Sequence, residues 1–165
     1  MSYVLDSSCL IYLGKLRILE KLEILEGKKF IPEGVYEEVV TKGIERNEPE
    51  AVYIEGLVRN KMFIVAKPRE AISNIPLLSK ADMEVLAVAK ETKSICVIDE
   101  IYASDVAETF GIESHGTVYV LLKLLEKKAL TKKETISHLG SLINLGFYLS
   151  AEMYREILDK IGEMK

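Results

Sequence analysis

Tryptophan and glutamine are absent from the 165 residues, and histidine and cysteine occur only twice each. His115 and His138 stand alone, with no second His or Cys at ligand spacing, which argues against a zinc site. Cys9 and Cys96 both lie in apolar surroundings, so they are read as packing residues in a reducing cytoplasm and not as a disulfide framework. No apolar run approaches the roughly 20 residues of a membrane span. No basic segment followed by a long apolar core opens the chain, so a secretory signal is not expected. No Gly-x-Gly-x-x-Gly follows Leu5 or Ile98, which removes a dinucleotide-binding domain. Internal repeats and low-complexity tracts are also missing, and one domain over residues 1–165 is expected, large enough to bury roughly 70% of its unfolded surface. Absent glutamine beside abundant Lys and Glu fits a heat-adapted chain.

Positive charge is in short supply too: the net charge is −4. That argues against tight, non-specific binding of nucleic acid through a basic surface. It leaves a nucleic-acid substrate open, because a bound divalent ion can neutralise a local carboxylate cluster.

What is present begins with Tyr3-Val4-Leu5, a short apolar run suited to a strand buried on both faces of a parallel sheet. Asp6 follows at its end, and Ser7 and Ser8 offer caps for a helix carrying Leu10, Ile11 and Leu13. Residues 94–98 repeat the pattern, with Asp99 and Glu100 at the turn into another helix. Acids placed so stand at the carboxyl edge of a parallel sheet, where ligands collect in open α/β folds.

Between these strands, residues 16–26 carry helical spacing up to Gly27, and residues 28–31 read as a strand. Pro32 opens a helix over residues 33–40, ending near Gly43, with Val35 and Val39 on its buried stripe. Glu37 falls in solvent and Glu38 borders the core. Asn47 is the expected cap of a helix to about Asn60, with Glu50 reaching back to it. A strand over 62–66 and an irregular crossing over 67–78 lead to a helix from Ser79 to Lys90. There Asp82 shares the apolar stripe of Val85, Leu86 and Ala89, while Glu84 points almost the opposite way. The remainder reads as helices, with caps at Thr131 and Ser150. Leu121, Leu122, Leu124 and Leu125 are too many for one buried face, so they serve either a subunit contact or packing beneath the C-terminal helices.

The candidate site is therefore Asp6, Glu38, Asp82 and Asp99; Asp105, on a later helix, is expected in solvent. Two carboxylates ~5 Å apart repel by roughly 3 kcal/mol at an effective dielectric of 20. A convergent group must raise its pKa values or take up a cation. Oxygen ligands without clustered His or Cys select Mg²⁺ or Mn²⁺, and such sites commonly hydrolyse phosphodiesters. A phosphoryl-accepting domain also places acids at strand ends, but no lysine stands at a late strand end to pair with the phosphoryl group.

Four segments in order, residues 4–13, 31–39, 78–87 and 97–100, together resemble the PIN-domain family, in particular the archaeal and bacterial subgroup related to VapC toxins. His115-Gly116-Thr117 and the helix ending at Leu130 also resemble that subgroup, so the likeness spans about residues 3–130 and leaves 131–165 as a helical extension. The resemblance implies a three-layer α/β/α sandwich around a parallel sheet. It implies Mg²⁺ or Mn²⁺ held by Asp6, Asp82 and Asp99, with Glu38 as a further catalytic acid. It also implies endoribonuclease activity on RNA in the cytoplasm, a homodimer, and a small cognate antitoxin as partner. Two positions depart from the subgroup: the third acid is the shorter Asp82 where Glu is frequent, and Ser104 stands where many relatives are basic. The competing expectation is a PIN-fold interaction module without catalysis.

Overall fold

A computed structural model describes all 165 residues. Contacts divide them into two compact units, Met1–Thr117 and Val118–Lys165.

The first unit is built on five parallel strands, β1 (Tyr3–Leu5), β2 (Lys29–Pro32), β3 (Ile64–Ala66), β4 (Ile95–Val97) and β5 (Ser114–His115), in the order β3-β2-β1-β4-β5. Between them run α1 (Ser7–Lys15), α2 (Glu33–Tyr36), α3 (Lys42–Glu45), α4 (Pro49–Arg59), α5 (Lys80–Thr92) and α6 (Ile101–Thr109). From β1 the chain steps outward to β2 and β3, then crosses back to β4 and β5 on the other side. Parallel crossovers are right-handed, so this reversal sends α1 and α4 to one face and α5 to the other, while α2 touches α5. The result is the expected α/β/α layering. α1 packs on α4, and α5 lies across β1, β2 and β4. β1 and β4, the central pair, are fully covered, and Val4, Leu5, Cys96 and Val97 are wholly buried. Cys9 and Cys96 are both buried and unbridged. Burial pushes the Cys96 thiol up to about 12 and the Cys9 thiol far above its ordinary value, so neither is a nucleophile at neutral pH.

Several local expectations change. The helix over 16–26 is instead a 3-10 segment (Leu19–Ile24), because α1 stops at Lys15 and Arg17 turns left-handed at φ 58°. Asn47 caps nothing: at φ 58° it lies just past the C-terminal end of α3, where the Glu48 amide donates to the Gly43 carbonyl (2.9 Å). Glu50 does not reach back to it. It is buried and pairs with Lys15 on α1 at 3.5 Å. β5 was not expected at all.

α2 and α3 are joined by a π-helical turn (Glu37–Thr41), which makes one continuous helix. A π turn inserts about one residue and so sets the following helix back by roughly 100°. Val35 and Gly43, eight residues apart, would stand about 80° apart on a regular helix. The inserted residue brings them to within about 20°, and both are buried. Gly43 is also a close approach: a Cβ there would lie 2.7 Å from the Cβ of Ala51 on α4.

The second unit holds most of α7 (Thr117–Glu126), then α8 (Lys132–Asn144) and α9 (Ala151–Glu163). Thr131 and Glu134 form the expected reciprocal cap on α8, and Ser150 caps α9 by accepting from the Met153 amide. Lys132 Nζ donates to the Gly162 carbonyl at 2.9 Å and ties the two helices. Leu121, Leu124 and Leu125 are buried and Leu122 half-buried, so the leucines of α7 are largely used within the chain. No helix is long and apolar enough to cross a membrane.

Candidate active site

The chain leaves β1 and β4 in opposite directions, and a crevice opens at such a switch point beyond the carboxyl ends of the strands. β1 and β4 are neighbours with Leu5 level with Val97, so Asp6, one residue on, and Asp99, two residues on, both leave the sheet at this edge. The Asp6 amide donates to the Val97 carbonyl (3.2 Å), which continues the ladder into the site.

Asp6 is 5% exposed and is itself the cap of α1, its Oδ1 accepting from the Cys9 amide at 2.8 Å. The two serines expected as caps do something else. Ser7 Oγ donates to Glu38 Oε2 at 2.8 Å, and Ser8 Oγ donates weakly to Asp99 Oδ2 at 3.4 Å. Asp6-Ser7-Ser8 thus supplies one acid and a link to each of two others. Glu38 sits on the π turn and is exposed, not at the core border where regular helical geometry would put it.

Asp99 is half-buried and held by Thr117, whose amide donates to Oδ1 (2.7 Å) and whose hydroxyl donates to Oδ2 (2.6 Å). Gly116 is glycine for a steric reason, since a Cβ there would come within 2.7 Å of Asp99 Oδ1. Asp82 is half-buried in the first turn of α5, with its amide donating to the Ser79 cap (3.0 Å). Glu84, expected to point almost opposite Asp82, is half-buried; its Oε2 accepts from the Gly34 amide (2.7 Å) and so caps α2 from α5. Glu100 caps α6 through the Tyr102 and Ala103 amides, and Asp105 is exposed as expected. Ser104 Oγ pairs with Ser114 Oγ at 2.6 Å.

The electrostatics centre on Asp6. Burial raises its pKa from an ordinary 3.8 to about 7, helped by the negative charges of Asp99 and Asp82 and opposed by the amides of Cys9 and Asp99. Asp99 and Asp82 therefore each lie within electrostatic reach of Asp6, and Ser7, the next residue, bonds Glu38. No group of three or more acidic, His or Cys side chains is close enough to hold a metal ion as placed. The fit to a divalent cation is one of charge and donor type: hard oxygen donors only, around a carboxyl whose ionisation lacks a compensating positive group.

The sequence reading named Gly116, Thr117 and Glu84 but gave none of them a role in the site. The first two carried a visible signal, a Gly-Thr pair at a helix start beside a strand, whereas the partner of Glu84 is a backbone amide fifty residues away.

A family model described as DUF3368, a PIN domain, matches residues 2–163. The chain belongs to the PIN-domain family. PIN domains are commonly nucleases. The matched span runs through α9, so this PIN-domain match includes the C-terminal helices. Among solved structures, a PilT N-terminus domain protein from the hyperthermophilic archaeon Sulfolobus solfataricus P2 shares the PIN fold. The alignment has a TM-score of 0.56 and 17% identity over 76% of this chain and 95% of that one. A domain of a functionally unknown protein from Methanocaldococcus jannaschii DSM 2661 aligns at a TM-score of 0.46 and 19% identity, over 70% of this chain and 89% of that one. No curated protein matches this chain.

Proposed function

We propose that this PIN domain is a Mg²⁺- or Mn²⁺-dependent endoribonuclease, the toxin of a VapC-like toxin–antitoxin pair. It acts on RNA in the cytoplasm as a homodimer and is restrained by a small cognate antitoxin. The observation that carries the reading is Asp6: a buried carboxyl at the switch point, flanked by Asp99 and Asp82, with its pKa at about 7.

Asp6, Asp82 and Asp99 would hold the metal, which when bound supplies positive charge for a phosphodiester oxygen and lowers the pKa of water. The chain prepares for this in three ways. Asp6, with its pKa raised to about 7, shares its population between acid and carboxylate near neutrality, and a bound cation would favour the carboxylate. Thr117 fixes both oxygens of Asp99, so that carboxylate is oriented before any ligand enters. Ser7 holds Glu38 beside the crevice without burying it, where it can receive a proton from the reacting water. The test is cleavage of end-labelled RNA with added Mg²⁺. Asp6→Asn and Asp99→Asn are each expected to lower the rate on the order of 10²-fold or more, and unchanged cleavage would discard the reading.

One observation favours a second reading, a PIN-fold interaction module without catalysis: no three ligating side chains are gathered for a metal. Mn²⁺ titration separates the two readings. A nuclease binds the ion at micromolar to millimolar levels and loses it in Asp99→Asn; a module without catalysis gives no saturable binding.

A further inference from the structure

The opposite edge of the sheet carries a second concave site. The strands are parallel, so the acids follow carboxyl ends, while the amino ends of β4 and β5 meet the last turns of α5 and α6. A cavity of about 320 Å³ opens there, lined by Lys90, Lys93, Phe110, Gly111 and Glu113 among others. At 1.5 Å per residue, Lys90 is about 12 Å along α5 from Asp82, so the two sites share a helix but not a residue.

The lining is unusual for a chain of net charge −4. Lys90 and Lys93 are exposed and neither makes a salt bridge. Lys90 Nζ stands 5.4 Å from the centroid of the Phe110 ring, which is itself 38% exposed. Glu113, the one carboxylate in the lining, is engaged by His115 Nε2 at 2.8 Å. The dipole of α5 explains lysines at its C-terminal end. It does not explain a part-exposed aromatic ring, with the Lys90 ammonium over it, in the lining of the same cavity.

We infer that this cavity binds a nucleoside monophosphate unit, with the phosphate on Lys90 and Lys93 and the base against Phe110. Ammonium groups are phosphate binders and an aromatic ring takes any base by stacking. The volume is at the low end for small-molecule sites and suits one nucleotide. The same unit occurs free or as one end of an RNA strand. The site stands apart from the acids and does not rest on their being catalytic.

The test uses the full chain in EDTA, titrated with AMP, adenosine, inorganic phosphate and a short 5′-phosphorylated RNA, followed by calorimetry and by the amide resonance of Gly111. AMP is expected to bind saturably and to move that resonance. Adenosine and inorganic phosphate should bind at least about tenfold more weakly, as should AMP to Lys90→Ala/Lys93→Ala and to Phe110→Leu, the lower range for loss of one base stack. Competition by the RNA assigns the ligand to a strand end, and its absence to the free nucleotide. No AMP binding up to about 10 mM, where affinity falls to a few kcal/mol, overturns the inference. So does inorganic phosphate binding as well as AMP, or AMP binding that survives the double lysine substitution.

Discussion

Thr117 grips Asp99 at both oxygens, with its backbone amide on Oδ1 at 2.7 Å and its hydroxyl on Oδ2 at 2.6 Å. Thr117 is wholly buried, so its amide and hydroxyl are shielded from water on the donor side. Thr117→Val keeps the shape and the amide but deletes the hydroxyl. It is expected to cost about 1.5–3 kcal/mol in chemical denaturation, the range for a hydrogen bond to a charged group, and Thr117→Ser should restore most of the loss. Gly116→Ala is also expected to destabilise, because the new methyl group would displace Asp99 Oδ1 from the Thr117 amide.

The second prediction concerns pH in metal-free protein. Asp6 binds its proton more tightly folded, at about 7, than at its ordinary 3.8. Between those values the folded state holds the extra proton, so stability falls as pH rises and levels off above 7. Asp6→Asn removes this penalty. The variant should match wild type near pH 4 and exceed it above pH 7, by an amount on the order of 4 kcal/mol at most. Urea midpoints at pH 4 to 8 measure the difference; a gap that does not change with pH would refute it.

Glu84 offers a third test. Its carboxylate is the cap of α2, seated from α5. Glu84→Ala is expected to lose about 1–2 kcal/mol and Glu84→Gln, which keeps an acceptor, clearly less. Thermal melts decide between this and a solvated side chain, for which both substitutions would be silent.

A pair of glycines gives opposite signs. Gly27 has φ +92° and a Cβ there would collide with the Met1 carbonyl, so Gly27→Ala should destabilise by more than about 1 kcal/mol. Gly56 lies inside α4 with nothing within 4 Å of its missing Cβ, so Gly56→Ala should stabilise by about 0.5–1 kcal/mol. Calorimetric melting of both variants checks the contrast.

The acids at positions 6 and 99 were legible because each ends a short run of apolar residues, and two such strands repeat one signal. The caps at Ser79, Thr131 and Ser150 were legible because capping is local chemistry. β5 was not, since Ser114-His115 is two polar-edged residues whose strand character comes wholly from pairing with β4. Periodicity misled at residues 16–26, where apolar spacing continues but a left-handed Arg17 has already ended the helix. It misled again at Glu38, because a fixed 100° step cannot register an inserted residue.

That inserted residue makes the stretch from Glu33 to Glu45 two half-helices with independent loyalties. The first half answers to Glu84 and the second to Ala51, with the turn bearing Glu38 acting as the joint between them. Excising a single residue from 37–41 would give a more regular spiral and a worse protein. One half would then have to rotate away from its neighbour, taking the acid beside Ser7 out of alignment with the crevice.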